Sequence, residues 1–139
     1  MKKLISIAFI ALLYTSCSEN EEANFYYVVL PVEEATIPAS FEWNQTYDIT
    51  LKYELPNGCH FFYSLYYKTE DTKRVIAINA IVNDEDACTE ALITKEHTFK
   101  IKATQKESYI LKIYKGIDED GESIFEEITV PVTETPAVD

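Results

Sequence analysis

Apolar and polar residues alternate with a period of two along most of this chain. Tyr47, Ile49, Leu51, Tyr53 and Leu55 are interleaved with Thr46, Asp48, Thr50, Lys52 and Glu54, the pattern of a strand with one buried and one wet face. Phe99 and Ile101 alternate with Lys100 and Lys102; Tyr109, Leu111 and Ile113 follow, with Lys112 between the last two. Ile124, Ile128, Val130 and Val132 close the series. Two runs are more continuously apolar, Phe61–Tyr67 and Val75–Val82, which predicts strands covered on both sides. No stretch has helical periodicity, and 83–95 has room for one short helical turn at most.

Turn signals separate these runs. Pro56-Asn57-Gly58 reads as a tight turn and Asp120-Gly121 as a hairpin connection, while Thr69–Thr72 and Thr104–Glu107 are short polar links. Between Phe25 and Val132 the count comes to about seven strands at short spacing, which predicts an all-β chain folded as an antiparallel β-sandwich.

Within that class Tyr109, opening the sixth run after a short polar link, resembles the corner tyrosine of immunoglobulin-like domains, whose hydroxyl bonds back to the chain. The resemblance implies an immunoglobulin-like sandwich. It does not extend to antibody-type recognition: Leu111 stands where antibody domains place their second cysteine, and Trp43 precedes the second run instead of lying on the third.

Composition narrows the picture. With 139 residues and 47% hydrophobic content, the chain has room for one domain with a real core. Asp and Glu number 24 against 12 Lys and Arg, a net charge of −12. Nucleic acid and anionic phospholipid need clustered cations. Here Lys100, Lys102, Lys106, Lys112 and Lys115 are dispersed among acids, so nucleic acid is excluded as a partner.

The first residues have a different character. Met1-Lys2-Lys3 is a cationic start, Leu4–Leu13 an apolar run, and Thr15-Ser16-Cys17 a set of small residues; together they describe an export signal. The run is too short to span ~30 Å of hydrocarbon. Leu13-Tyr14-Thr15-Ser16-Cys17 resembles a bacterial lipobox, with Tyr14 in place of the usual leucine. That resemblance implies cleavage by signal peptidase II and a lipid-modified Cys17. Ser18-Glu19-Asn20-Glu21-Glu22 resembles the acidic tether of some surface-displayed Gram-negative lipoproteins. Two or more acyl chains anchor a protein stably at ~0.8 kcal/mol per buried CH₂, so the domain needs no apolar patch of its own to stay at the membrane. The mature chain is further similar to small Ig-like lipoproteins of no assigned activity, on the stretches Pro56-Asn57-Gly58-Cys59 and Gly116-Ile117-Asp118-Glu119-Asp120-Gly121.

Assigning Cys17 to lipid leaves Cys59 and Cys88, an even pair in an oxidising compartment, and predicts a disulfide. It would close a loop of ~30 residues, contributing roughly 3–4 kcal/mol. A thiol nucleophile is disfavoured, because Cys59 and His60 on one strand point to opposite faces. A zinc site from Cys59, Cys88 and His97 lacks the paired short spacings such sites use.

The remaining candidates for chemistry are few. Asp118-Glu119-Asp120-Gly121-Glu122 reads as an acidic hairpin tip and not a calcium loop, since the EF-hand spacing and flanking helices are missing. Asn83-Asp84-Glu85-Asp86 reads as a solvated loop. Phe61-Phe62-Tyr63-Ser64-Leu65-Tyr66-Tyr67 is the most distinctive run; strand geometry puts Phe62, Ser64 and Tyr66 on one face. That strand is expected to be central and buried, with an exposed aromatic platform of Phe62 and Tyr66, able to stack on sugars or partners, as the sharper alternative. There are two histidines, and no Gly-x-Ser-x-Gly, His-Glu-x-x-His or phosphate-binding glycine loop.

The expectation is therefore a non-catalytic lipoprotein. Residues 1–16 form the signal, 17–24 the lipidated cysteine and tether, 25–132 the Ig-like sandwich and 133–139 a flexible tail. It would sit on the outer membrane, at the cell surface or, alternatively, on the periplasmic face. There it would serve as a binding or envelope-interaction module, with an accessory carbohydrate-binding role or a purely structural one as alternatives. The lipidation site is Cys17, the disulfide Cys59–Cys88, and the candidate ligand-binding residues Phe62 and Tyr66. No catalytic residue, metal site or cofactor is implied; the partners are the membrane through its anchor and an envelope protein or carbohydrate.

Overall fold

The alternation becomes ten strands, and no helix, among the residues the computed structural model describes, 24–84 and 87–134. They are β1 (Phe25–Leu30), β2 (Val32–Thr36), β3 (Phe41–Glu42), β4 (Thr46–Leu55), β5 (His60–Glu70), β6 (Lys73–Asn83), β7 (Ile93–Lys102), β8 (Tyr109–Ile117), β9 (Ser123–Val130) and β10 (Val132–Thr133). The periodicity predicts about seven. Pro31 and Pro131, which cannot donate to a ladder, each cut one apolar run in two. The two-residue strand β3, which pairs in parallel with β10, is too short to show a period. The expected signal, the expected lipidation site Cys17 and the expected tether as far as Ala23 lie outside the described residues, of which Asn24 is the first. At the other end Thr133 belongs to β10 and Glu134 pairs with Lys106, so the sandwich runs past the boundary expected at 132.

Five strands form one sheet around β6. β5 pairs antiparallel with β6 along its whole length. The opposite edge of β6 is shared by two strands: β1, antiparallel from Leu30↔Ile78 to Phe25↔Asn83, and β8, parallel from Lys73↔Ile110 to Ile76↔Ile113. β9 then pairs antiparallel with β8. The second sheet is β2-β4-β7, antiparallel throughout.

Between the sheets lies the core that the alternation predicts. β4 contributes Ile49, Leu51, Tyr53 and Leu55; β6 contributes Ile76, Ile78, Ala80 and Val82; β8 contributes Tyr109, Leu111 and Ile113, all buried. Each large side chain stabilises the fold by roughly 1.5–3 kcal/mol on burial. Tyr109 is the corner tyrosine. Its hydroxyl accepts the Thr104 N–H at 2.9 Å and donates to the Lys102 carbonyl at 3.3 Å. The guanidinium of Arg74, the buried cation, lies 4.8 Å from that ring and donates to the Asp71 and Lys73 carbonyls and to Gln105 Oε1.

The buried-strand expectation for 61–67 fails. β5 is an edge strand, and Phe61, Phe62, Tyr63, Tyr66 and Tyr67 are all exposed to a third or more. Continuous apolarity came here from an outer face of the sheet that is itself aromatic, not from burial on both sides. Residues 87–92 are irregular, with no helical turn. The disulfide is formed: Cys59, just before β5, meets Cys88 with Cα atoms 5.3 Å apart, and the Gly58 N–H donates to the Thr89 carbonyl.

The aromatic outer face and the groove at Ala77

Register decides what β5 presents. A β-bulge between Phe62 and Ser64 inserts Tyr63, so Phe62 pairs with Ala80, whereas Ser64 pairs with Asn79 and Tyr66 with Ala77. An extra residue reverses the facing of everything beyond it. Phe62 therefore turns toward the second sheet, its ring stacked 4.6 Å from His97 and 6.3 Å from Tyr53. Tyr66 and Ser64 point to the outer face. The two candidate residues do not share a platform; they lie on opposite sides of the sheet.

The outer face is nevertheless aromatic. Tyr63, displaced by the bulge, sits with its ring 4.8 Å from that of Tyr27 on β1. Farther along, Tyr66 on β5, Ala77 on β6, and the pair Tyr114↔Phe125 on β8 and β9 form one row across the sheet. The Tyr114 and Phe125 rings meet edge to face at 5.8 Å.

A groove crosses this row. β1 pairs with β6 only as far as Ile78, and β8 only as far as Ile76, so neither covers the flank of Ala77 between them. Where one ladder ends and the other begins, Ala77 has no partner on that edge, and its side chain is a single methyl group. The resulting cavity has a volume of about 260 Å³. Val75 and Ala77 form the floor; Tyr66 stands on one side, Tyr114 and Phe125 on the other, with Val29, Asn79 and Ser123 completing the lining. The Asn79 amide donates to Ser64 Oγ at 3.1 Å. No lining side chain is charged. Lys112, in the next row, lies 4.9 Å from the Phe125 ring centre and 3.8 Å from Glu127.

Other candidates have structural partners. Asn57 Oδ1 accepts the Cys59 N–H at 3.0 Å and bonds His60 Nδ1 at 2.7 Å, which assigns the Nδ1–H tautomer because a carbonyl oxygen only accepts. Burial holds the His60 imidazole below its ordinary range. Asp118 Oδ1 accepts the N–H groups of Asp120 and Glu122 at 2.9 Å each, and Gly121 takes φ +83°, so this acidic stretch is a self-capped hairpin tip. A second cavity, at the end of the sandwich near β3, holds the exposed Trp43 beside Asn44 and Gln45. Its ring is covered by Lys106 at 5.4 Å, itself paired with Glu134 at 2.7 Å.

The ORF11 beta-sandwich domain family matches residues 49–133, more than half of the chain. The chain belongs to the ORF11 beta-sandwich domain family. No curated protein and no solved structure matches it significantly. The family region runs from Ile49 in β4 to Thr133 in β10 and contains the whole groove except Val29. It brings a β-sandwich and no activity. Of the groove residues, sequence reading singled out Tyr66 alone. Tyr114 and Phe125 carried a legible sign: each is an aromatic on the wet phase of its strand, in step with the charged Lys112 and Glu127 two residues away.

Proposed function

We propose that this chain is an outer-membrane lipoprotein whose β-sandwich is a non-catalytic binding module, presenting the outer face of its five-stranded sheet to a partner. The observation that carries the reading is the aromatic outer face itself. Monomeric surfaces scatter single apolar residues but seldom gather rings into a contiguous patch without a use for them. Phe25, Tyr27, Phe61, Tyr63 and Tyr66 are each more than two-fifths exposed, and their strands share one side of one sheet. The second sheet's outward side carries Thr50, Lys52, Glu96, Thr98 and Lys100 instead. A lipid anchor at Cys17, expected from the lipobox, would hold the module at the membrane without using that aromatic face. Non-catalytic use is supported by the chemistry nearby: the Cys59 thiol is consumed in a disulfide and His60 is engaged by Asn57.

The test is site-specific photocrosslinking in the lipidated protein in its own outer membrane, with the photoreactive residue placed at Tyr63 or at Glu96. Adducts to an envelope component from Tyr63 and not from Glu96 are expected. Equal yields from both faces, or none from Tyr63, would overturn the assignment and favour a structural role without a ligand.

A further inference from the structure

We infer that the groove at Ala77 is a subsite for one sugar ring of a neutral glycan, an inference that rests on the binding-module reading and names its ligand. Dimensions come first. β5 and β8 flank β6, and neighbouring strands lie about 4.8 Å apart, so Tyr66 and Tyr114 rise from backbones about 10 Å apart. One ring touching a wall on each side spans about 7–8 Å, two contacts of 3.5–4.0 Å. The 260 Å³ of the groove lies just below the ~300–1,000 Å³ typical of small-molecule sites, enough for one saturated ring and not for a folded peptide element.

The lining then selects the chemistry. Tyr66, Tyr114 and Phe125 offer ring faces and edges suited to the C–H face of a pyranose. Asn79, Ser123 and the two phenol hydroxyls offer donors and acceptors at the edges of the same groove. Among the described residues only Ser64 engages the Asn79 amide, which leaves its Oδ1 and second proton for a hydroxyl-bearing ligand. A wholly apolar occupant would bury these groups unpaired, a cost that selects against it.

Charge excludes two further classes. An anion would meet no cation in the lining, in a chain of net charge −12. A cation would meet no carboxylate in the lining, and Lys112, 4.9 Å from Phe125 and paired with Glu127, already takes the ring face it would seek. What remains is an uncharged molecule with one apolar face and a rim of hydroxyls. That is a neutral sugar.

The decisive experiment is calorimetric titration of the lipidated protein, held in a zwitterionic detergent that carries no sugar. The probes are maltohexaose, cellohexaose, mannohexaose and xylohexaose, with hexagalacturonate and choline as charged comparisons. At least one neutral hexasaccharide binds, and the charged probes do not. Tyr66→Ala and Phe125→Ala each weaken that binding by about tenfold or more, and Ala77→Leu, which fills the floor while keeping every ring, abolishes it. Phe61→Ala, on the same face but outside the groove, leaves it unchanged; circular dichroism confirms that each variant is folded. Failure of all four neutral probes, binding of a charged probe alone, or binding indifferent to Tyr66→Ala and Ala77→Leu would overturn the inference. Because the crosslinking from Tyr63 asks only whether the face meets any partner, adducts there without saccharide binding would remove the sugar and keep the binding module.

Discussion

Tyr109 shows how one atom can tie a sandwich corner together. Its hydroxyl serves the Thr104 N–H and the Lys102 carbonyl at once, and its ring is fully buried between Phe41 and Arg74. Tyr109→Phe keeps the ring and strands those backbone groups, so it should cost about 1–3 kcal/mol in a urea melt with little change in near-ultraviolet dichroism. A cost below about 0.3 kcal/mol would mean water replaces the hydroxyl without penalty. Phe62 tests a different kind of contact. It is 38% exposed yet stacked on His97 at 4.6 Å, so Phe62→Ala should fall between an open-surface change and a buried one, about 1–2 kcal/mol. A double-mutant cycle with His97→Ala should return a coupling of about 0.5–1 kcal/mol; no coupling would reduce the stack to mere proximity.

At the scale of elements, β5 is an edge strand of eleven residues with an aromatic sequence, a feature that invites pairing with other chains. Two devices limit that. The bulge at Tyr63 twists the ladder, and the Lys68–Glu70 ion pair puts charges at its far end. The disulfide pins the near end, joining the turn before β5 to the irregular link before β7. The intact mass of the native protein should lie about two daltons below that of its reduced form, and reduction should cost roughly 3–4 kcal/mol of stability. Two thiols that alkylate freely without denaturant would refute the bridge in the native protein. Gly58 belongs to the same corner: a Cβ there would strike the Thr89 hydroxyl, which is why the chain can pass so closely between Pro56 and Cys59.

For the whole molecule, the anchor is the most consequential expectation. Cys17→Ala should abolish incorporation of labelled palmitate and release the protein from the membrane fraction; label retained in that variant would refute the lipobox assignment. The alternating residues of β4, β7 and β8 made the all-β class and most of the core legible in advance, because a period of two with one wet face has a single geometric meaning. Cysteine parity indicated the bridge, and the position of Tyr109 the corner, because both depend on local order along the chain. The candidate site was less legible. A single inserted residue, Tyr63, put Phe62 and Tyr66 on opposite faces, and hydropathy carries no mark of a bulge. Nor does it record that β1 and β8 share one edge of β6, the arrangement that opens the groove over Ala77. Sequence alone determined which residues alternate, where prolines must break a ladder, and which cysteines remain to pair. Tertiary structure alone decided which strand lies at an edge and which rings meet, because those depend on pairings between segments far apart in the chain, where no local pattern reaches.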